Sequence, residues 1–178
     1  MKANLLTLPA LALLLLTQCK KIDADPASDL PPETQTGAGT FGCLVNGQLW
    51  TPLGNNGYSN YSVSYDPTYR KGTLNVGCYR YIGKGANDFQ TVGFFSDSIQ
   101  NIGTYSLTIP KHQEGIFTDL TRNTCQFQGG DPYYRRGKLT ITRLDKQAGV
   151  ISGTFSFTLW QPGCDSVRVT QGRFDRKL

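Results

Sequence analysis

Five cysteines, a single histidine and a scatter of carboxylates are the side chains of this 178-residue chain able to carry covalent, metal or acid–base chemistry. Cys19 stands apart from the other cysteines. It ends the run Leu13-Leu14-Leu15-Leu16-Thr17-Gln18-Cys19, and Lys20 and Lys21 follow it. Its thiol closes a short apolar stretch of the length of a secretory signal's core. The remaining four, Cys43, Cys78, Cys125 and Cys164, are widely spaced, with no CxxC and no Cys/His cluster, which disfavours a zinc site. An even number of cysteines in an exported domain predicts two disulfides, for which three connectivities are open. Cys43 with Cys164 and Cys78 with Cys125 is the favoured arrangement. Its first bond would tie the opening strand to the closing one around a loop of about 120 residues, worth ~4–5 kcal/mol on the chain-entropy view.

The other reactive groups lead to less. A Ser-His-Asp or Cys-His centre would have to use His112, which sits in the polar stretch IPKHQEG without a nucleophile motif nearby. Glycosidase chemistry needs two carboxylates across a cleft. Asp66, Asp88, Asp97, Glu114, Asp119, Asp131, Asp145, Asp165 and Asp175 are the candidates, and most lie in turn-like sequence, where aspartate bonds its own backbone. Gly83-Lys84-Gly85 lacks the spacing of a phosphate loop. The expectation is a protein that is not an enzyme and has no catalytic residue, cofactor or metal. Aromatic residues are the remaining lead. Tyr58, Tyr61 and Tyr65 recur in a Gly/Asn-rich region, and Tyr133 and Tyr134 lie beside Arg135 and Arg136. Flat amphipathic rings on loops can stack on a sugar or a protein partner. Asp97-Ser98-Ile99 and Asp165-Ser166-Val167 have the form of short Asp-Ser-apolar O-glycosylation sites.

These groups are carried by a chain in three parts. Residues 1–18 hold Lys2 and an apolar core from Leu5 to Leu16. About a dozen residues are too few for a hydrocarbon layer that needs ~20, and they suit a secretory signal peptide. The segment resembles a bacterial lipobox, with Leu16 and Thr17 matching and Gln18 departing from the pattern. Residues 19–40 then form the lipidated cysteine and a flexible tether, KKIDADPASDLPPETQTGAGT after the cysteine, with too few apolar groups to offset its ordering entropy. Its extended reach is on the order of 60 Å. Residues 41–178 are enough for a single domain. That domain carries an excess of basic residues, but they are scattered and form no nucleic-acid-binding motif.

The domain reads as strand and turn throughout. Asn46-Gly47 between short apolar runs marks a hairpin. Further strands are read over 62–65, 73–78, 90–95, 103–109 and 138–142. Residues 151–159 alternate with period 2, placing Ile151, Gly153, Phe155, Phe157 and Leu159 on one face. Gly172 predicts a bulge that returns Phe174 to the core side, and 111–123 has room for one short helical turn. Many short strands at this spacing imply an all-β, antiparallel β-sandwich, with a lipocalin-like closed β-barrel as the alternative.

The pieces TFGCLVNGQLWTP, GTYSL, KLTITRLD, ISGTFSFTL and VRVTQGRFD resemble a family of small Bacteroidota lipoproteins that carry a C-terminal domain of unknown function. Asp23 and Asp25 weakly resemble the surface-export signal of some of these lipoproteins. The resemblance implies a cell-envelope location, with the chain held at the outer membrane through the lipid on Cys19, facing the periplasm or the exterior. Two partner readings follow. One is an envelope protein, met by a displayed structural or protein-binding domain. The other is a glycan met by the tyrosine-rich loops.

Overall fold

The computed structural model describes residues 25–121, 125–127 and 134–178. Two antiparallel sheets face each other. Sheet A contains β1 (Thr40–Val45), β2 (Gln48–Trp50), β6 (Gly103–Ser106), β9 (Tyr134–Asp145), β10 (Val150–Trp160) and β11 (Val167–Lys177), in the order β2-β1-β11-β10-β9-β6. Sheet B contains β3 (Tyr61–Asp66), β4 (Thr73–Tyr81), β5 (Phe89–Ser96), β7 (Thr108–Ile109) and β8 (Gln113–Asp119), in the order β3-β4-β5-β8-β7. Each sheet keeps two open edges, so the fold is a sandwich and not the closed barrel. Among the described residues no helix is long and apolar enough to cross a membrane.

Local chemistry sets these elements. Asn46 and Gly47 take φ values of 50° and 79°, the left-handed pair that a two-residue hairpin needs. The alternation of β10 buries Ile151, Gly153, Phe155, Phe157 and Leu159. The expected bulge is present. Gln171 adopts φ 51°, the β10–β11 register steps between Phe155 and Phe157, and Phe174 returns to the core. The core between the sheets is aromatic. Phe155 lies 5.3 Å from Phe41 and 4.9 Å from Phe94, and Phe94 lies 5.4 Å from Phe174. Such contacts add to the area term that dominates burial. Arg135 and Glu114 form a buried ion pair joining β9 to β8 across the sheets.

Two segments differ from the sequence reading. Residues 103–109 are not one strand. β6 pairs with β9 in sheet A and β7 with β8 in sheet B, and buried Leu107 marks the change of sheet. Residues 113–119, within the stretch read as a helical turn, form β8, because pairing with β5 satisfies their backbone and seats Phe117 in the core.

The third difference is at the N-terminal side. Composition assigns all of 20–40 to a tether free of the domain, yet the part after a 3₁₀ turn (Pro26–Asp29) is docked on the outer face of sheet A. Leu30 is buried, and Pro31 covers Gly42 so closely that a Cβ there would lie 2.6 Å from the proline ring. Farther on, the Asp175 carboxylate accepts hydrogen bonds from Thr34 Oγ1 (2.7 Å), Thr36 N (3.0 Å), Gly37 N (2.8 Å) and Ala38 N (3.0 Å). Among the described residues, the chain packed on the domain therefore includes Leu30 to Ala38, ahead of the boundary at Phe41. Composition misses this because few apolar side chains take part, Leu30 and Pro31 among them, and the rest of the docking is carried by backbone amides and hydroxyls.

Candidate functional site

Cys19, the signal segment 1–18 and Tyr133 lie outside the described residues. The other four cysteines divide differently from the expectation. Cys125 and Cys164 are joined by a disulfide, with Cα atoms 5.7 Å apart, while Cys43 and Cys78 are free thiols. Cys164 and Cys125 meet beside a cleft, whereas Cys43 and Cys78 point into the core from β1 and β4. The Cys43–Cys164 and Cys78–Cys125 pairings are thereby corrected. Burial pushes the Cys43 thiol up to about 12, against the opposing field of Arg80. Burial, and after it the neighbouring Cys43, also raises Cys78 well above its ordinary value. We expect both to resist iodoacetamide in the native protein at mildly alkaline pH and to react once it is unfolded, as read by peptide mapping. Alkylation of either in the native state at the rate of an exposed cysteine would contradict this placement.

The described tyrosines do not converge. Tyr61 is 4% exposed, with its hydroxyl donating to the Asp175 carbonyl (3.3 Å) and its ring below the Arg176 guanidinium, so it is a core residue. Tyr65 is half-buried and donates to the Ile99 carbonyl (2.7 Å). Tyr58 is 81% exposed on a loop held by Tyr79, whose hydroxyl meets Asn56 Oδ1 and the Tyr58 carbonyl. Tyr134 is exposed at the start of β9 in the other sheet. Of the carboxylates, Asp66 and Asp145 cap their own turns, as turn aspartates do. Asp97 holds His112 Nδ1 at 2.8 Å on the exposed surface. Ser98 and Ser166, the candidate O-glycosylation positions, are both exposed.

The cleft beside the disulfide has a volume of about 470 Å³. It opens at one end of the sandwich, and Asn46, Arg80, Gln90, Asp119, Ser166 and the Cys125–Cys164 bond contribute to its wall. Three of these residues form a continuous polar chain. Arg80 Nε donates to Gln90 Oε1 (3.0 Å), and Arg80 Nη1 donates to the Leu49 carbonyl (2.9 Å). Trp50 Nε1 donates to the same Gln90 oxygen (3.2 Å). Gln90 Nε2 in turn donates to Asp119 Oδ2 (2.8 Å), and Asp119 Oδ1 accepts from Thr121 N and Oγ1. The guanidinium lies 5.4 Å from the centre of the Trp50 ring. Burial lowers the Arg80 pKa without discharging a group whose ordinary value is so high.

This arrangement holds a cation and a carboxylate on opposite sides of one amide, with their positions fixed by neighbouring strands. A polar cleft with fixed donors and acceptors suits a ligand or peptide segment that hydrogen-bonds, more than an apolar one. Sequence inspection passed over the set, though a signal was there. Leu74, Val76 and Cys78 alternate inward on β4, so Arg80 falls in phase with the core. Gln90 likewise precedes inward Val92 and Phe94 on β5. A charge in phase with a core face marks either a sealed end or a site.

No curated protein and no solved structure matches the chain. The family model described as a domain of unknown function, DUF6252, matches residues 64–176, from within β3 to near the end of β11. The match takes in Arg80, Gln90, Asp119 and both members of the disulfide, and on it the chain belongs to the DUF6252 family.

Proposed function

We propose that the protein is a non-enzymatic, lipid-anchored lipoprotein of the bacterial cell envelope whose β-sandwich binds a protein partner at the Arg80–Gln90–Asp119 cleft. The carrying observation is the Cys125–Cys164 bond on the wall of that cleft. A reducing cytosol does not keep such a bond, so it supports residence in an oxidising compartment. The run ending at Cys19 supports the anchor. Two or three acyl chains would make attachment effectively permanent, since each buried methylene contributes ~0.8 kcal/mol. The binding role is supported by the fixed charges of the cleft and by Ser166, exposed at its rim. Of the described tyrosines of the set, exposed Tyr58 is on the loop before β3 of sheet B and exposed Tyr134 is at the start of β9 in sheet A, which favours the cleft over a stacked-tyrosine sugar platform.

Two measurements in producing cells test this reading. Labelled palmitate should enter the wild-type chain and be absent from Cys19→Ser. With a photoreactive amino acid at Ser166, irradiation should give a discrete protein adduct that the same probe at Lys146, on the β9–β10 turn, does not give. No palmitate in the wild type removes the anchor. Identical adduct patterns from the two positions remove the cleft.

A further inference from the structure

The outer face of sheet A is divided in two. One half is covered by the docked chain over Gly42 and Asp175. The other half is bare and basic. Inward Leu139, Phe157 and Val169 leave Arg136 and Lys138 on β9, Ser156 and Thr158 on β10 and Arg168 on β11 facing outward. Thr158 pairs with Arg136 on one side and with Arg168 on the other. The two arginine backbones thus stand two strand spacings apart, roughly 10 Å. Lys138 lies opposite Ser156 in the next row. Together these side chains line an open groove of about 370 Å³. Among the described residues Arg136, Lys138 and Arg168 take part in no ion pair, whereas Arg143 and Arg173 on the same sheet are paired with Asp145 and Glu33. Trp160 and Tyr134 face each other across β10 and β9 just beyond the first basic row, 45% and 50% exposed.

We infer that this basic half-face, rimmed by Trp160 and Tyr134, seats on anionic phospholipid headgroups. The inference rests on the lipid-anchored reading for its geometry. Because residues 30–38 are docked, the chain left to act as a tether is shorter than composition suggests. From Cys19 to docked Leu30 it spans at most ~40 Å fully extended, and the 3₁₀ turn over Pro26–Asp29 shortens that. The domain is therefore held within that distance of the bilayer, and the docked segment over Gly42 and Asp175 lies on the same outer face as the groove. Unpaired arginine and lysine side chains facing a nearby anionic surface are drawn to it, each by about as much as a juxtamembrane basic residue. Tryptophan and tyrosine are the residues that settle at headgroup depth. An acidic protein or polysaccharide would meet the same cations and rings, but the anchor keeps a bilayer beside this face at all times.

The test uses the full-length chain extracted from producing cells and reconstituted into vesicles of phosphatidylcholine alone or phosphatidylcholine with phosphatidylglycerol. Trp160 reports contact, and Trp50, fully buried in the core, supplies a constant background. Anionic vesicles should shift the emission to the blue and allow quenching by brominated phosphatidylglycerol. Arg136→Gln/Lys138→Gln/Arg168→Gln should lose both effects, as should raised salt, which shortens the screening length. Trp160→Phe should abolish the signal, assigning it to this residue. Equal Trp160 emission in neutral and anionic vesicles would overturn the inference. So would an unchanged blue shift in the triple variant. Flotation separates this from the anchor. Chain that floats with neutral vesicles without a Trp160 response keeps the anchor and loses the seat. Chain that responds only to anionic vesicles and does not float with neutral ones keeps the seat and loses the anchor. A triple variant that instead loses binding to acidic polysaccharide, with no lipid response in the wild type, assigns the face to that partner and defeats the proposal.

Discussion

Asp175→Ala is expected to destabilise the domain by about 3–5 kcal/mol, the range for removing one partner of a buried charged network. Asp175 is 1% exposed. Besides the donors from residues 34–38 it accepts from Ser152 Oγ at 2.6 Å, so one side chain ties the entering chain to β10 and β11. Alanine leaves these donors, and buried Ser152, without their shared acceptor. Asp175→Asn keeps the shape but turns an amide N–H toward groups that already donate, so most of the loss should persist. Urea midpoints measure the cost, and hydrogen exchange should show Gly37 and Ala38 losing protection before the β9–β10 hairpin does. A midpoint within error of wild type would end this account of the docked chain. The same contacts set a pH dependence. Burial by itself would raise the Asp175 pKa, and the bonds from Ser152, Thr34, Ala38 and Gly37 outweigh it, holding the carboxyl well below the usual carboxylate range. Its folded value thus lies below its unfolded one, ~3.9. The stabilisation is complete above that value and is lost as pH falls through it toward the folded pKa. Wild type should consequently lose its advantage over Asp175→Ala in acid and keep it at neutral pH.

How much of this was legible in the chain depended on whether the signal was local. The period of residues 151–159, Asn46-Gly47 and the bulge before Phe174 each follow from neighbours in sequence, and the sandwich could be assembled from them. Leu107 was not legible as a point of departure from one sheet to the other. An alternating strand looks the same whichever sheet it joins, and the switch is decided by pairing with distant β9 and β8. The docked segment was hidden for a related reason. Its partner Asp175 lies more than a hundred residues away, and its donors are main-chain groups common to every residue. Cysteine parity counted the thiols without saying which faced the core. For the cleft, Arg80 in phase with Leu74, Val76 and Cys78 was a readable anomaly, but Asp119 became its counterpart only through the β4–β5–β8 order.

Cys125→Ser/Cys164→Ser should lower stability by about 4 kcal/mol, from the entropy of closing a loop of roughly 40 residues in the unfolded chain. For a domain of this size that is a fall in Tm of roughly 10–20 °C. Reducing agent should produce the same fall in wild type and none in the double variant. Cys43→Ser/Cys78→Ser should leave the response to reductant intact, because those thiols are not cross-linked. The cleft supplies a second readout. Cys125 lies beyond β8, which carries Asp119, and Cys164 precedes β11, next to the stretch that carries Ser166. The bond therefore fixes the distance between the carboxylate side of the cleft and its rim. Without it the two walls are held only by packing, and the Ser166 photoadduct should weaken below the melting temperature, while the domain is still folded. A wild-type Tm insensitive to reductant, or a peptide map linking Cys43 to Cys164, would refute the cross-link. A Tm that falls as expected with an undiminished adduct would keep the bond as a stabiliser and detach it from the cleft. That outcome would place partner recognition on the rim near Ser166 alone, with Arg80, Gln90 and Asp119 acting to seal the end of the core.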